Sequence, residues 1–454
     1  MKDKHTFDLT RGAIAPALLR FSLPFLGASL LQFLYGVVDM VVVGRFSDSA
    51  GIAAVNNSSQ IMQLVTSLVC GIATGGTVLI GQYIGARQEK EAGKTVGNMV
   101  LLFTFVAAVI TALLLTLGNG LVMLMQVPTE AVAPAQAYLR ICGIGTVFIV
   151  GYNVVSSILR GIGDSKRPMY FITISCCVNI VGDLILVGGF GLGAAGAAAA
   201  TVAAQAISFL CSMIALKRSG LPFPVQVKLE GGKLLKVLQL GVPVALQDML
   251  TTLSFVIITV VVNLIGLDQS AAVGVVERII GFSMVIPVAF MSSLAVFTAQ
   301  NIGAKQPERA KRGIWIAMGV SLGLTAILFA AMQLLPGGLM GIFTNDPKVV
   351  YHGVLYLRTY SIDALMVCFV FCLNGFFSGC GHTGFTMFNC LFSTFLVRLP
   401  LVIWFSTLPG VSMLQIGIAA PVASLVQIII QLIYYRTGRW SRSVLETGGN
   451  GNEA

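Results

Sequence analysis

Two aspartates, Asp39 and Asp183, stand inside long apolar runs with polar neighbours at helical spacing. Gln32, Tyr35 and Asp39 recur at intervals of three and four, so on a helix they share one face. Ser175, Asn179 and Asp183 recur every four residues, and Thr201, Gln205, Ser208 and Ser212 form a third polar stripe. Two carboxylates with amide and hydroxyl oxygens can coordinate Na⁺, as such hard ligands hold other hard cations. A carboxyl held out of water can instead carry a proton near neutral pH. A plainer reading also stands, in which Asp39 and Asp183 lie near helix ends and only reach interfacial water.

The second half of the chain has its own polar set. Asp248, Glu277 and Asp363 fall within or near apolar runs, with Asp363, Val370 and Asn374 close to one helical face. Ionisable groups at such positions cost about 2.5–3.5 kcal/mol to insert and are functional candidates by default. Asp248 lies beside Gln247 and Thr251; Glu277 precedes Arg278, so an internal ion pair is an alternative there. Asn56, Gln60, Gln63 and Ser67 give another run a polar stripe. Gln32, Tyr35, Asn56, Gln60, Gln63, Gln205, Asp248, Glu277, Met284 and Asp363 are the candidates for lining a substrate cavity. Methionine suits such a lining because its side chain adapts to varied shapes.

The elements that carry these residues follow from composition. Of 454 residues, 56% are hydrophobic and 10% charged, and the mean hydropathy is +0.90. Soluble domains average about 25% charged residues, so this chain is all-α integral membrane protein. A spanning helix needs about 20 apolar residues, and twelve such runs occur: 17–43, 53–81, 95–117, 133–158, 169–190, 194–217, 236–264, 272–300, 313–334, 350–377, 384–407 and 413–435.

The net charge of +10 does not point to nucleic acid, because the basic residues cluster in alternate short loops. One side carries Lys2, Lys4, Arg11, Arg20, Arg87, Lys90, Lys94, Arg160, Lys166, Arg167, Lys217, Arg218, Lys228, Lys233, Lys236, Lys305, Arg309, Lys311, Arg312, Arg436, Arg439 and Arg442; the other has Arg45, Arg140, Lys348 and Arg358. The positive-inside rule then puts both termini in the cytoplasm, in a multi-pass inner (cytoplasmic) membrane protein.

The halves repeat. Gln82-Tyr83-Ile84-Gly85-Ala86-Arg87-Gln88 matches Gln300-Asn301-Ile302-Gly303-Ala304-Lys305-Gln306, and Tyr138-Leu139-Arg140 matches Tyr356-Leu357-Arg358, both offset by 218. Pro24 matches Pro243. Six helices per half make the repeats parallel, as two lobes around a central cavity suited to alternating access. The expected organisation is an N-terminal lobe over 1–216 holding the cation site, a basic linker over 217–236, a C-terminal lobe over 237–436 and a disordered cytoplasmic tail over 437–454.

Several motifs lead nowhere. Gly191-x-Gly193-x-x-Gly196 fits a dinucleotide fingerprint but sits between two apolar helices, where it reads as a tight turn. No GxxxxGK[ST] occurs, so the chain carries no ATPase loop. Its nine cysteines form no CxxC pair, and His5, His352 and His382 are scattered. No nucleophile–base pair or metal cluster suggests an enzyme, and no cofactor is expected.

Pro24 followed by Asp39-Met40-Val41-Val42-Val43-Gly44-Arg45, the repeated Ile-Gly-Ala-Arg/Lys-Gln loop, and the segment Arg160 to Met169 resemble the MATE (multidrug and toxic compound extrusion) family. The resemblance runs from about residue 12 to 440. It implies a monomer embedded in the lipid bilayer that exports cationic or amphipathic drugs or toxic metabolites by antiport against H⁺ or Na⁺. In the DinF-like and archaeal branch the cation site uses residues that match Asp39, Asn179, Asp183 and Thr201, with Asn153 as a further polar member. In the NorM branch a seventh-helix Glu is used; Thr252 stands near that position, while Asp363 resembles that branch's tenth-helix carboxylate. The resemblance therefore favours the DinF-like branch, with Asp39 and Asp183 taking up the cation and Asn179 and Thr201 supplying oxygens. The alternatives are a flippase of lipid-linked precursors from the same superfamily, disfavoured because only Arg278 and Arg398 lie deep in spans, and a non-transporting membrane scaffold.

Overall fold

The computed structural model describes residues 8–441 and 443–445. Lys2, Lys4, His5 and Arg442, and the expected tail from 446 on, lie outside the described residues. Among the described residues, twelve helices are long and apolar enough to cross a membrane: α1 Ile14–Phe46, α2 Ser49–Gly85, α3 Glu89–Leu124, α4 Thr129–Gly161, α5 Lys166–Gly189, α6 Gly193–Ser219, α7 Gly231–Ile265, α8 Leu267–Gly303, α9 Pro307–Leu334, α10 Pro347–Cys380, α11 Thr383–Ser406 and α12 Met413–Arg436. The shortest have 24 residues, about 36 Å at the helical rise, against a hydrocarbon core of about 30 Å. No strand occurs among the described residues.

Most helices outrun the apolar windows that reveal them. The third, expected from residue 95, begins at Glu89, because a helix continues through its charged ends into water. A six-residue helix, Pro336–Gly341, follows α9 and leaves no hydropathy signal at that length. Two spans change pitch: α5 is π-helical over Leu184–Gly189 and α11 over Thr394–Arg398. Such turns recur at functional sites.

The chain forms two compact units. One holds Leu23–Ala245; the other holds Leu9–Ser22 and the chain from Leu246 onward. The divisions inside α1 and α7 thus fall beside Pro24 and Pro243, where a ring without an N–H interrupts the helical ladder. The stretch 217–236, expected as a linker, belongs wholly to the first unit.

Within each unit the same contacts recur. A Cβ on Gly161 would stand 3.0 Å from the Thr77 carbonyl oxygen, and one on Gly379 would stand 2.4 Å from that of Ala295. The two pairs occupy matching positions of the sequence repeat. Missing side chains let α2 meet α4, and α8 meet α10, at backbone distance, the usual device where lipid gives no hydrophobic drive to helix pairing.

The Arg160–Met169 segment is structural at its acid. Asp164 Oδ1 accepts from the Lys166 and Arg167 amides at 3.0 and 3.1 Å, and Oδ2 lies 2.6 Å from Arg167 Nε. It therefore satisfies the orphan donors that open α5. The Gly191/Gly193 motif is a turn, with φ of 66° and 52°, a backbone region that glycine enters without steric cost.

Candidate functional site

Three helices of the first unit converge on a polar cluster. Asn179 and Asp183 sit one turn apart on α5, just before its π-helical segment, and are 1% and 0% exposed. Asp39 on α1 is half-buried, and its carboxyl lies within hydrogen-bonding reach of the Asp183 carboxyl. A carboxylate only accepts, so the Asn179 amide must turn its nitrogen to Asp183. Its NH₂ then donates to Asp183 Oδ2 at 2.8 Å, and its oxygen accepts from Thr201 Oγ1 and N, both at 3.3 Å. The Tyr35 hydroxyl stands 3.4 Å from Thr201 Oγ1.

Two acceptors in this cluster are left over. Asp39 Oδ1 and Asp183 Oδ1 are shielded from water, and no protein donor reaches either. Gln205, one turn beyond Thr201, has a shielded Oε1 in the same condition. A hydrogen bond between two carboxyls needs a proton on one of them. With both ionised, the facing oxygens call for a cation instead. The donor set of carboxylate, amide and hydroxyl oxygens fits either H⁺ or a hard ion such as Na⁺. No group of three or more His, Cys, Asp or Glu assembles among the described residues.

The structure brings together Asp39, Asn179, Asp183 and Thr201, and adds Tyr35, which the spacing had placed only on a cavity-lining face. Asn153 is engaged elsewhere: its Nδ2 donates to the Ile149 carbonyl at 2.8 Å and its Oδ1 accepts from Cys70 Sγ at 3.3 Å. Gln32, Asn56, Gln60, Gln63 and Asp248 have exposed side chains, and Gln205 and Glu277 are half-buried. Met284 packs against the apolar core around Val276, Tyr356 and Tyr360.

The second unit holds a separate charged cluster. Asp363 is 5% exposed, and its Oδ1 accepts from Ser424 Oγ on α12 at 2.5 Å. Arg398, which ends the π-helical segment of α11, donates to the Tyr360 hydroxyl at 3.0 Å and stacks over Phe255 at 4.5 Å. Its charge acts on both Glu277 and Asp363. Tyr360 stacks in turn on Tyr356, with ring centroids 5.3 Å apart. Sequence reasoning found Arg398 as a deep charge but missed Tyr360 and Ser424. Tyr360 lies one helical turn before Asp363 and was within reach of a periodicity argument; Ser424 lies two helices further along the chain with no local signal.

Comparison with known proteins fits this architecture. The MatE family model matches residues 24–185 and again 243–404, two copies offset by 219 at both ends. A Bacillus subtilis (strain 168) protein named probable multidrug resistance protein YpnP is 28% identical over 442 residues, which covers 97% of this chain and 99% of that one. The probable multidrug resistance protein NorM of Thermotoga maritima is 24% identical, covering 96% and 95%. The solved outward-facing structure of a multidrug resistance MATE family transporter of the MOP superfamily superposes with a TM-score of 0.91 at 22% identity, over 96% of this chain and 98% of that one. These relatives are transporters rather than enzymes. With the family pattern present in each half and twelve apolar helices to carry it, the chain belongs to the MatE family of membrane transporters.

Proposed function

We propose that the protein is a multidrug exporter that drives cationic or amphipathic small molecules outward by antiport against H⁺ or Na⁺, with alternating access. The observation that carries this reading is the Asp39–Asp183 pair, whose leftover carboxyl oxygens are acceptors placed to take up a proton or a cation. Asn179 and Thr201 orient the pair, and Tyr35 closes it through Thr201. The arrangement supports the DinF-like assignment of the coupling site. The basic loops support an inner-membrane orientation with both termini cytoplasmic, and one chain carries the whole pair, so a monomer suffices.

Coupling then follows from competition. Loaded with one monovalent cation, the pair carries one negative charge fewer; emptied, it presents its full negative charge inside a spanning bundle. A cationic drug favours the emptied state and the coupling ion the loaded one. Each ligand moves the conformational equilibrium only by its differential affinity for the two states.

Reconstituted protein with a cationic dye inside the vesicles, under separately imposed pH and Na⁺ gradients, tests the reading. One gradient is expected to drive dye flux, and Asp39→Asn or Asp183→Asn to abolish the gradient dependence. Undiminished gradient-driven flux in both variants would overturn it.

A further inference from the structure

Between the end of α6 and the chain that follows it runs an apolar groove of about 640 Å³. Leu210, Met213 and Ile214 form its helical wall; Leu221, Phe223 and Val225 form the other. Lys217 stands at its rim with Arg218 beside it. Both are exposed, and neither side chain makes a hydrogen bond or ion pair among the described residues.

The second wall is a built surface, not a loose connection. Asn98 of α3 donates to the Lys228 carbonyl at 3.1 Å and accepts from the Glu230 amide at 2.9 Å. The Gln226 amide donates to the Gly93 carbonyl at 3.4 Å. Gly93 and Gly97 admit the segment at backbone distance: a Cβ on either would stand 2.1 Å from the Pro224 oxygen or 1.9 Å from the Gln226 oxygen. A network of Glu91, Lys94, Glu230 and Lys233 fixes the stretch that follows. Residues 223–225 are thus held at a set distance from α6.

We propose that this groove is a binding site for an anionic phospholipid, its acyl chain between α6 and the 221–225 wall and its headgroup on Lys217 and Arg218. The apolar lining matches a hydrocarbon chain. The two cations without counter-ions sit where a spanning helix leaves the hydrocarbon, at the depth of headgroups, and clusters of basic side chains in that zone select negatively charged lipid. A zwitterionic lipid fills the groove equally well but leaves both cations without net compensation. The bound lipid bridges α6 and the segment leading into α7, so the anionic content of the bilayer acts on that segment.

Native mass spectrometry of the full chain, with phosphatidylglycerol and phosphatidylcholine of identical acyl chains as probes, tests the site. The wild-type protein is expected to retain phosphatidylglycerol at least several-fold over phosphatidylcholine. A Lys217→Gln/Arg218→Gln double variant, which removes no side-chain hydrogen bond or ion pair among the described residues, is expected to lose that preference while still retaining both lipids. Met213→Trp, which fills the groove from its exposed wall, is expected to lower retention of both. Equal retention of the two lipids by the wild-type protein, or an unchanged preference in the double variant, would overturn the proposal.

Discussion

Arg87 and Lys305, partners in the sequence repeat, occupy the same position of the same turn, each with a left-handed φ of 58°. The hydrogen bonds around them repeat: Gln88 N donates to the Tyr83 carbonyl at 2.8 Å, and Gln306 N to that of Asn301 at 2.8 Å. Both turns end a long helix and start the next, so the reversal was duplicated with its strain. A side chain in this conformation costs about 1–2 kcal/mol that glycine does not incur.

Arg87→Gly and Lys305→Gly are therefore each expected to stabilise the fold by about 0.5–1 kcal/mol, once glycine's larger unfolded-state entropy is subtracted. Thermal unfolding in detergent reads this directly. A lowered midpoint in both variants would mean that these side chains make contributions that exceed the strain.

The repeat that carries these turns was legible because it preserves residue types at a fixed offset, and the twelve spans because hydrocarbon thickness sets the length of an apolar run. Asp39, Asn179 and Asp183 were legible as helical faces. What the faces met was not: Tyr35 on α1 finds Thr201 on α6, and Arg398 on α11 finds Tyr360 on α10. Such pairings depend on how helices pack, and packing leaves no local pattern. The stretch after α6 looked like a basic linker because its charges are conspicuous. The glycines and Asn98 that seat it lie three helices earlier, on α3, and carry no charge.

Asn179 offers a graded test of the polar cluster. Its amide is the donor to Asp183 Oδ2, and a hydrogen bond to a charged group contributes about 1.5–3 kcal/mol. Asn179→Leu removes this support from the emptied, ionised pair, so it should tighten proton binding there by about 10- to 100-fold, since each factor of ten is about 1.4 kcal/mol. The half-saturating ion concentration for gradient-driven dye flux is the quantity to measure. An unaltered value would remove Asn179 from the coupling site while leaving the Asp39–Asp183 pair in question only through its own variants.

Gly97 tests whether the segment after α6 is seated as tightly as its geometry indicates. Gly97→Ala places a methyl 1.9 Å from the Gln226 carbonyl oxygen, backbone that cannot rotate away as a side chain would. Overpacking of this kind costs about 1–3 kcal/mol. The variant is expected to unfold at lower temperature and to become more sensitive to limited proteolysis around residues 221–229. Wild-type behaviour in both measurements would show that the segment yields without loss.

His382 lies between α10 and α11, with Nδ1 3.0 Å from the Tyr434 hydroxyl and Tyr434 stacked on Phe385 at 3.9 Å. Burial holds its imidazole below the ordinary histidine value, because the charged ring is poorly solvated there. The unfolded chain protonates this ring near pH 6.5, about its unperturbed value, while the folded chain resists. Above that pH both states are neutral and the contribution is fully present. As pH falls, the unfolded state binds the extra proton, and stability declines until the folded-state value is passed. A His382→Gln variant cannot titrate, so its unfolding temperature should fall less steeply between about pH 6.5 and 5 than that of the wild-type protein. Parallel slopes for the two proteins across this range would mean that other groups set the acid sensitivity of this end of the bundle.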